Sequence, residues 1–263
     1  MGQTEKLDVV VLLRCRYRTW QLLKCFENIR NIFQRNGMTY RIYCMPDRPT
    51  PEVRELLDNE DKYDTRMVPI NDGEKGHRWA KSGLRGLNYC LDQLDDDGII
   101  PRWLYFHDDD EILPVSCSEK LKECLNEPDI LAWTATSLFA WGSINTININ
   151  IFHHSPILFR YRVGDRFTED GRSVQVTDPI HRRILRNPYR KKTLPFYIRD
   201  LSAFTAEDRE EQIRRFKQSG KDDAYTRPFG QEPTIMRLED IEKKWKPVDF
   251  FMYQYKRGNN ATV

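Results

Sequence analysis

Apolar positions along the first half of the chain alternate between two spacings. Residues 8–13, "DVVVLL", are apolar on both faces, as a central parallel strand requires. Leu22, Leu23, Phe26, Ile29 and Phe33 then fall on one helical face, with Thr19 as candidate cap and Gly37 as the stop. A second strand is predicted over 39–45, "TYRIYCM". A short helix follows over 50–57, with Thr50 as cap and Pro51 at its first position. A third strand covers 65–70. Leu84, Leu87, Leu91 and Leu94 form one stripe of a longer helix over about 78–94. "RWLYFH" (102–107) reads as a fourth strand, "SCSE" (116–119) as a capping box, and 129–141 as containing a fifth strand. Repeated strand–helix units predict an α/β fold with a parallel sheet covered by helices on both faces.

After about residue 142 the alternation loosens. "INTININIF" (144–152) reads as extended, and 159–176 as a hairpin around Asp170-Gly171. A capped helix is expected over 205–220, ending at Gly220, and a short helix over 234–245. No internal repeat, low-complexity tract or linker is visible. The chain therefore reads as one domain in two halves, 1–142 and 143–263.

Composition narrows the picture only a little. With 39% hydrophobic and 12% aromatic residues among 263, the chain can build a core. A formal net charge of +2 does not announce a nucleic-acid binder. The six cysteines contain no C-x-x-C pair and read as buried thiols. The start, "MGQTEKLD", is polar, and no apolar run approaches the roughly 18 residues of a spanning helix. The expectation is a soluble, cytoplasmic protein without a transmembrane segment.

The chemistry concentrates in "RWLYFHDDDEILP", residues 102–114. Four consecutive acids follow a hydrophobic strand. In an open parallel sheet, ligands bind beyond the carboxyl ends of the strands. Mutual repulsion among Asp108, Asp109 and Asp110 is relieved if a hard divalent cation, Mg²⁺ or Mn²⁺, sits among them. Such a cation uses few protein carboxylates and completes its shell with water and phosphate oxygens. The bland alternative is an acidic turn in solvent; the preceding strand and the surrounding alternation argue against it.

Four segments in order resemble the GT-A-fold glycosyltransferases, in particular their family 2 group. "VVVLLRCRYRTWQLLKCFENI" resembles the opening strand, nucleotide-base loop and first helix, and Arg18 falls where that loop often carries an arginine. "RIYCMPDRPTPEV" resembles the second strand with its terminal aspartate, Asp47. "GEKGHRWAKSGLRGLNYCLD" resembles the helix beside the diphosphate. "LYFHDDDEILP" resembles the D-x-D segment, with Asp108 and Asp110 as its acids. The resemblance covers about residues 8–140. It departs from the family in two places: Arg-Cys-Arg-Tyr-Arg stands for the usual Pro-Thr-Tyr-Asn-Arg, and Lys81-Ser82 for Arg-Asn.

The resemblance implies a Rossmann-like nucleotide-binding sheet flanked by helices, followed by an irregular acceptor region. It implies a nucleotide-sugar donor, UDP above all, and a divalent metal on Asp108 and Asp110. Arg18, Asp47, Lys81 and Asp109 would complete the donor contacts. Each also has an ordinary reading, as a turn aspartate or a solvated charge. An inverting transferase further needs a base for the acceptor hydroxyl. "RFTEDG" offers Glu169 and Asp170, although Asp-Gly is also a plain hairpin signal. Asp222-Asp223 and Asp178 are alternatives, and His153-His154 reads as structural.

Residues 182–199, "RRILRNPYRKKTLPFYIR", carry seven basic residues and no acid, with Tyr189, Phe196 and Tyr197 interleaved. This is either a solvated surface or a contact for an anionic acceptor: a glycan, a glycolipid or nucleic acid. A glycosyltransferase acting on a modified nucleic-acid base would fit it. A sugar nucleotidyltransferase is the rival enzyme class, but its glycine-rich first loop is missing, since residues 13–20 hold no glycine. A non-catalytic sugar-nucleotide-binding module is the third reading.

Overall fold

The structure is a computed structural model that describes residues 4–15, 18–46, 49–58, 65–67, 79–169, 176–177, 188–218, 229–230, 232–250 and 252–253. Its first elements are β1 (Glu5–Cys15), α1 (Thr19–Arg35), β2 (Tyr40–Pro46), α2 (Pro51–Leu57), β3 (Thr65–Met67), α3 (Trp79–Asp96) and β4 (Ile99–Asp108). Then come β5 (Glu111–Ile112), α4 (Ser118–Asn126), β6 (Ala132–Ala140), β7 (Thr146–Arg160), β8 (Thr168–Glu169) and β9 (Val176–Thr177). The last are β10 (Lys191–Asp200), α5 (Ala206–Gln218), β11 (Ile235–Arg237) and α6 (Leu238–Lys244). The chain forms two compact units. The first comprises Met1–Asp109, Lys122–Trp133 and Pro156–Lys192; the second comprises Asp110–Leu121, Thr134–Ser155 and Thr193–Val263.

In the first unit the strands lie in the order β3-β2-β1-β4, all parallel. Val9 through Leu13 of β1 are fully buried, as expected of a strand covered on both faces. The end of β7 pairs antiparallel with β4, Leu104 opposite Phe159. Leu87, Leu91 and Leu94 of α3 pack on Leu12, Tyr43 and Leu104 in one apolar cluster. The α1 stripe is shifted slightly from expectation. Leu22, Cys25, Phe26, Ile29, Ile32 and Phe33 are buried, whereas Leu23 points outward at 39% exposure. Thr19 is the first residue of α1, not its cap; Arg18 is the N-cap residue and makes no side-chain cap bond. Asn36 and then Gly37, at φ 59°, end the helix in the left-handed region that glycine tolerates. Thr50 caps α2 as expected, its Oγ1 accepting from the Val53 N–H at 3.4 Å.

In the second unit the strands lie in the order β7-β6-β10-β5, with β11 antiparallel on β7. All nine residues of β6 are buried. Within the segment read as a hairpin, which belongs to the first unit, β8 and β9 pair antiparallel with Thr168 opposite Thr177; Asp170-Gly171 lies outside the described residues. Thr205 and Asp208 exchange hydrogen bonds at the start of α5, at 2.8 and 3.1 Å. This is a capping box with aspartate at its third position. Ser116 does not head α4. It lies in the 3-10 turn Val115–Cys117, and α4 starts at Ser118.

One buried polar contact yields a pH prediction. Tyr43 of β2 donates to Asp97 Oδ2 at 2.6 Å from within the apolar cluster. Burial, followed by the neighbouring Asp97 carboxylate, raises its pKa well above the usual phenol value. A raised folded-state pKa gives stability that is full below the unfolded value of about 10 and is lost as pH rises toward the folded value. Thermal melts between about pH 9 and 11 should therefore fall more steeply for the native chain than for Tyr43→Phe. Parallel slopes would contradict this.

Candidate active site

The acidic segment begins at the carboxyl end of β4. In the parallel register of β1 and β4, Arg14 lies directly beside Asp108. Register neighbours point to the same face, so the two side chains meet. Arg14 Nε donates to Asp108 Oδ1 at 2.6 Å, and Nη2 donates to Oδ2 at 2.5 Å. Period-two alternation puts Phe106 on that face as well, and the guanidinium lies over its ring, 4.6 Å from the centroid. Pairing and stacking together fix the plane of the guanidinium. The Arg14 and Asp108 side chains are 21% and 35% exposed, so the pair is only partly screened.

The backbone here is also fastened to the sheet. Asp109 N–H donates to Arg14 C=O at 3.0 Å, continuing the ladder one residue past the strand. Cys25 of α1 directs its thiol to the Asp108 carbonyl at 3.9 Å. Arg18 opens α1 and its carbonyl accepts from Leu22 N–H at 3.0 Å. Arg14 and Asp108 therefore lie at the carboxyl ends of β1 and β4, and Arg18 is the N-cap residue of the helix that comes after β1. Lys81 lies in the first turn of α3, and its side chain lies outside the description.

In the second unit, the carbonyl of Asp110 accepts from Leu201 N–H at 2.7 Å, leaving its side chain out of the backbone ladder. Glu111 is unlike the three aspartates. It is 8% exposed, and Ser137 Oγ donates to its Oε1 at 2.9 Å. Asp200, its register partner on β10, is equally buried and accepts from Ser202 N–H at 2.8 Å. The four consecutive acids thus divide by role. Asp108 is neutralised by arginine, Glu111 is held internally by a serine, and Asp109 and Asp110 are half-buried.

The donor set suits a hard divalent cation that takes one or two carboxylates and draws its other oxygens from water and phosphate. It does not suit a closed protein cage. Among the described residues, no group of three or more His, Cys, Asp or Glu side chains is placed to hold a metal ion.

The remaining expected residues are distributed differently. Asp47, Asp170, Asp178 and Asp222-Asp223 lie outside the described residues, and Glu169 is the last residue of β8 with its side chain outside the description. His154 is structural: its Nδ1 lies 2.9 Å from Thr136 Oγ1, which also donates to Pro247 C=O at 3.2 Å. The basic run is corrected in its described part, 188–199. Phe196 and Tyr197 are core residues at 4% and 1% exposure, so they cannot stack on bases. Lys192 is paired with Glu127 at 2.5 Å, Arg190 donates to Asp129 C=O at 2.6 Å, and Arg199 is depressed in pKa mainly by burial. Only Tyr189 among the three aromatics is exposed. Residues 196–198 are buried in succession, so this part of β10 is covered on both faces, which the dense charges around it hide in the sequence.

No protein-family profile matches the chain, and no curated protein matches it in sequence. Solved structures do match. A mannosyltransferase from Pyrobaculum calidifontis, solved with GDP-Man and Mn²⁺, aligns at 16% identity and TM-score 0.51, over 86% of this chain and 68% of that one. S. aureus TarS 1–349 aligns at 11% identity and TM-score 0.44, over 84% of this chain and 68% of that one. A 4-diphosphocytidyl-2C-methyl-D-erythritol synthase aligns at 11% identity and TM-score 0.41. With parallel β3-β2-β1-β4, antiparallel β7 beside β4 and the acids at the end of β4, the chain has the GT-A glycosyltransferase fold.

Proposed function

We propose that the chain is a metal-assisted glycosyltransferase, moving a sugar from a nucleoside-diphosphate donor to an acceptor hydroxyl. The observation that carries this reading is the run of acids at the carboxyl edge of a parallel sheet with the GT-A strand order. That edge is where such sheets bind nucleotides. Asp108 and Asp110 are the proposed ligands of Mn²⁺ or Mg²⁺, on the strength of their D-x-D spacing. When bound, the cation supplies Lewis-acid stabilisation to the departing diphosphate.

The chain's own residues carry the rest. Arg18, Lys81 and Asp109 are assigned to the donor's charged and polar groups, and Asp47 to its base or ribose. An acidic side chain, Asp170 with Glu169 beside it, is assigned as the base that takes the proton of the acceptor hydroxyl. The oxygen then attacks the anomeric carbon as the bond to diphosphate breaks, inverting the configuration. UDP is the proposed nucleotide, and a glycan or glycolipid the proposed acceptor.

Calorimetric titration of UDP, GDP, CMP and dTDP, each with Mn²⁺ and with EDTA, tests the donor assignment. One nucleotide should bind, and markedly better with Mn²⁺. No binding of any of the four under either condition would sink the reading.

A further inference from the structure

Arg14 has no counterpart in the usual first-loop pattern, yet it pairs directly with the acidic segment. Its bidentate bonds of 2.6 and 2.5 Å engage both oxygens of Asp108, and the register of two parallel strands fixes that geometry. A divalent cation placed on Asp108 would then face a guanidinium within a few ångströms. Like charges at that separation repel strongly at a partly buried site.

We propose that Arg14 is an exchangeable counterion of the donor site. It holds Asp108 in the metal-free protein, gives that carboxylate up to the cation, and turns its guanidinium to the diphosphate of the incoming nucleotide. This rests on the transferase reading above and goes one step beyond it, to how the site is loaded. The chemistry is ion exchange and breaks no covalent bond. In the free protein, the guanidinium holds both oxygens of the Asp108 carboxylate. In the loaded site, the cation takes the carboxylate, and the guanidinium gains the phosphate oxygens that arginine's planar fork pairs with in the same bidentate manner.

Two consequences follow from the exchange. Arg14 weakens cation binding in the absence of nucleotide, because the cation must displace it. It strengthens nucleotide binding, because the diphosphate receives it. Metal and nucleotide are therefore coupled through Arg14, and that coupling is reciprocal. Phe106 beneath the guanidinium supplies a platform on which it can swing without losing its stacking contact.

The test is Mn²⁺ binding by electron paramagnetic resonance on nucleotide-free protein, followed by titration of UDP and GDP in EDTA. Arg14→Met should bind Mn²⁺ about tenfold more tightly than the native chain, the scale of a partly buried bidentate ion pair. It should bind its nucleoside diphosphate about tenfold more weakly in EDTA, through the lost guanidinium–phosphate bonds. Arg14→Lys, which keeps the charge and loses the fork, should fall between the two. Adding Asp108→Asn to Arg14→Met should erase the gain in Mn²⁺ affinity; a purely structural role for Arg14 predicts no gain to erase. Equal Mn²⁺ affinity in Arg14→Met, Arg14→Lys and the native chain would overturn the exchange. If the native chain still binds nucleotide in a Mn²⁺-dependent way, the transferase reading survives that result. If the native chain binds no nucleotide at all, both fall together.

Discussion

An Asp110→Ala variant is expected to lose sugar transfer and Mn²⁺-dependent nucleotide binding while folding normally. The backbone bond of Asp110 survives this substitution. Its carbonyl accepts the Leu201 N–H at 2.7 Å, and alanine keeps that bond. The residue is half-buried at the start of the second unit. The proposed transition state, by contrast, places growing negative charge on the diphosphate. Removing one electrostatic stabiliser from such a site typically lowers the rate by about a hundred- to a thousandfold. Thermal melts run beside the assay separate loss of function from loss of fold. Retained activity would remove Asp110 from the mechanism.

The second large effect concerns stability. Trp103 of β4 is fully buried, and its indole N–H donates to Leu125 C=O at 2.9 Å. Arg160, at the end of β7, lies over the ring at 4.7 Å from the centroid. That guanidinium donates in turn to Ile130 C=O at 3.1 Å and Glu127 C=O at 2.8 Å. One side chain thereby joins β4, the end of α4 and the segment before β6. Trp103→Ala should cost about 3–5 kcal/mol in urea denaturation, through a cavity and an orphaned carbonyl. Trp103→Phe, which fills most of the volume and loses only the N–H bond, should cost about 1–2 kcal/mol. A loss below about 1 kcal/mol for the alanine variant would show that the core collapses around the gap.

The central sheet was legible because its signals are local. Runs such as "DVVVLL" and "RWLYFH" are too apolar for any element exposed on one face, and Thr50-Pro51 and Gly37 act within one turn of chain. The acids at 108–110 were legible because a strand end is a position in sequence as well as in space. The Arg14–Asp108 pair was not visible, since the two residues are 94 positions apart. A clue existed all the same: Arg14 interrupts the apolar run at the end of β1, and strands adjacent in a parallel sheet present their ends together. Glu111 looked like a fourth member of the acidic cluster, and only the serine across the sheet shows it to be internal. The sequence pattern also hid the length of β7, where His153-His154-Ser155-Pro156 breaks the alternation in the middle of a 15-residue strand. The base assignment at Glu169 and Asp170 follows from a turn signal, whereas a general base is defined by its distance to an acceptor oxygen, a tertiary property.

The proposed reaction cleaves the bond between sugar and diphosphate. The most direct test is to incubate the protein with a panel of UDP-, GDP-, CMP- and dTDP-sugars and Mn²⁺, without acceptor, and to identify the products of slow donor breakdown. A parallel reaction with nucleoside triphosphates and sugar 1-phosphates is assayed for pyrophosphate. Free nucleotide and free sugar are expected from one donor class, abolished by EDTA and by Asp110→Ala, with no pyrophosphate. Pyrophosphate release, with nucleotide joined to sugar phosphate, would contradict it and make the chain a nucleotidyltransferase on the same fold.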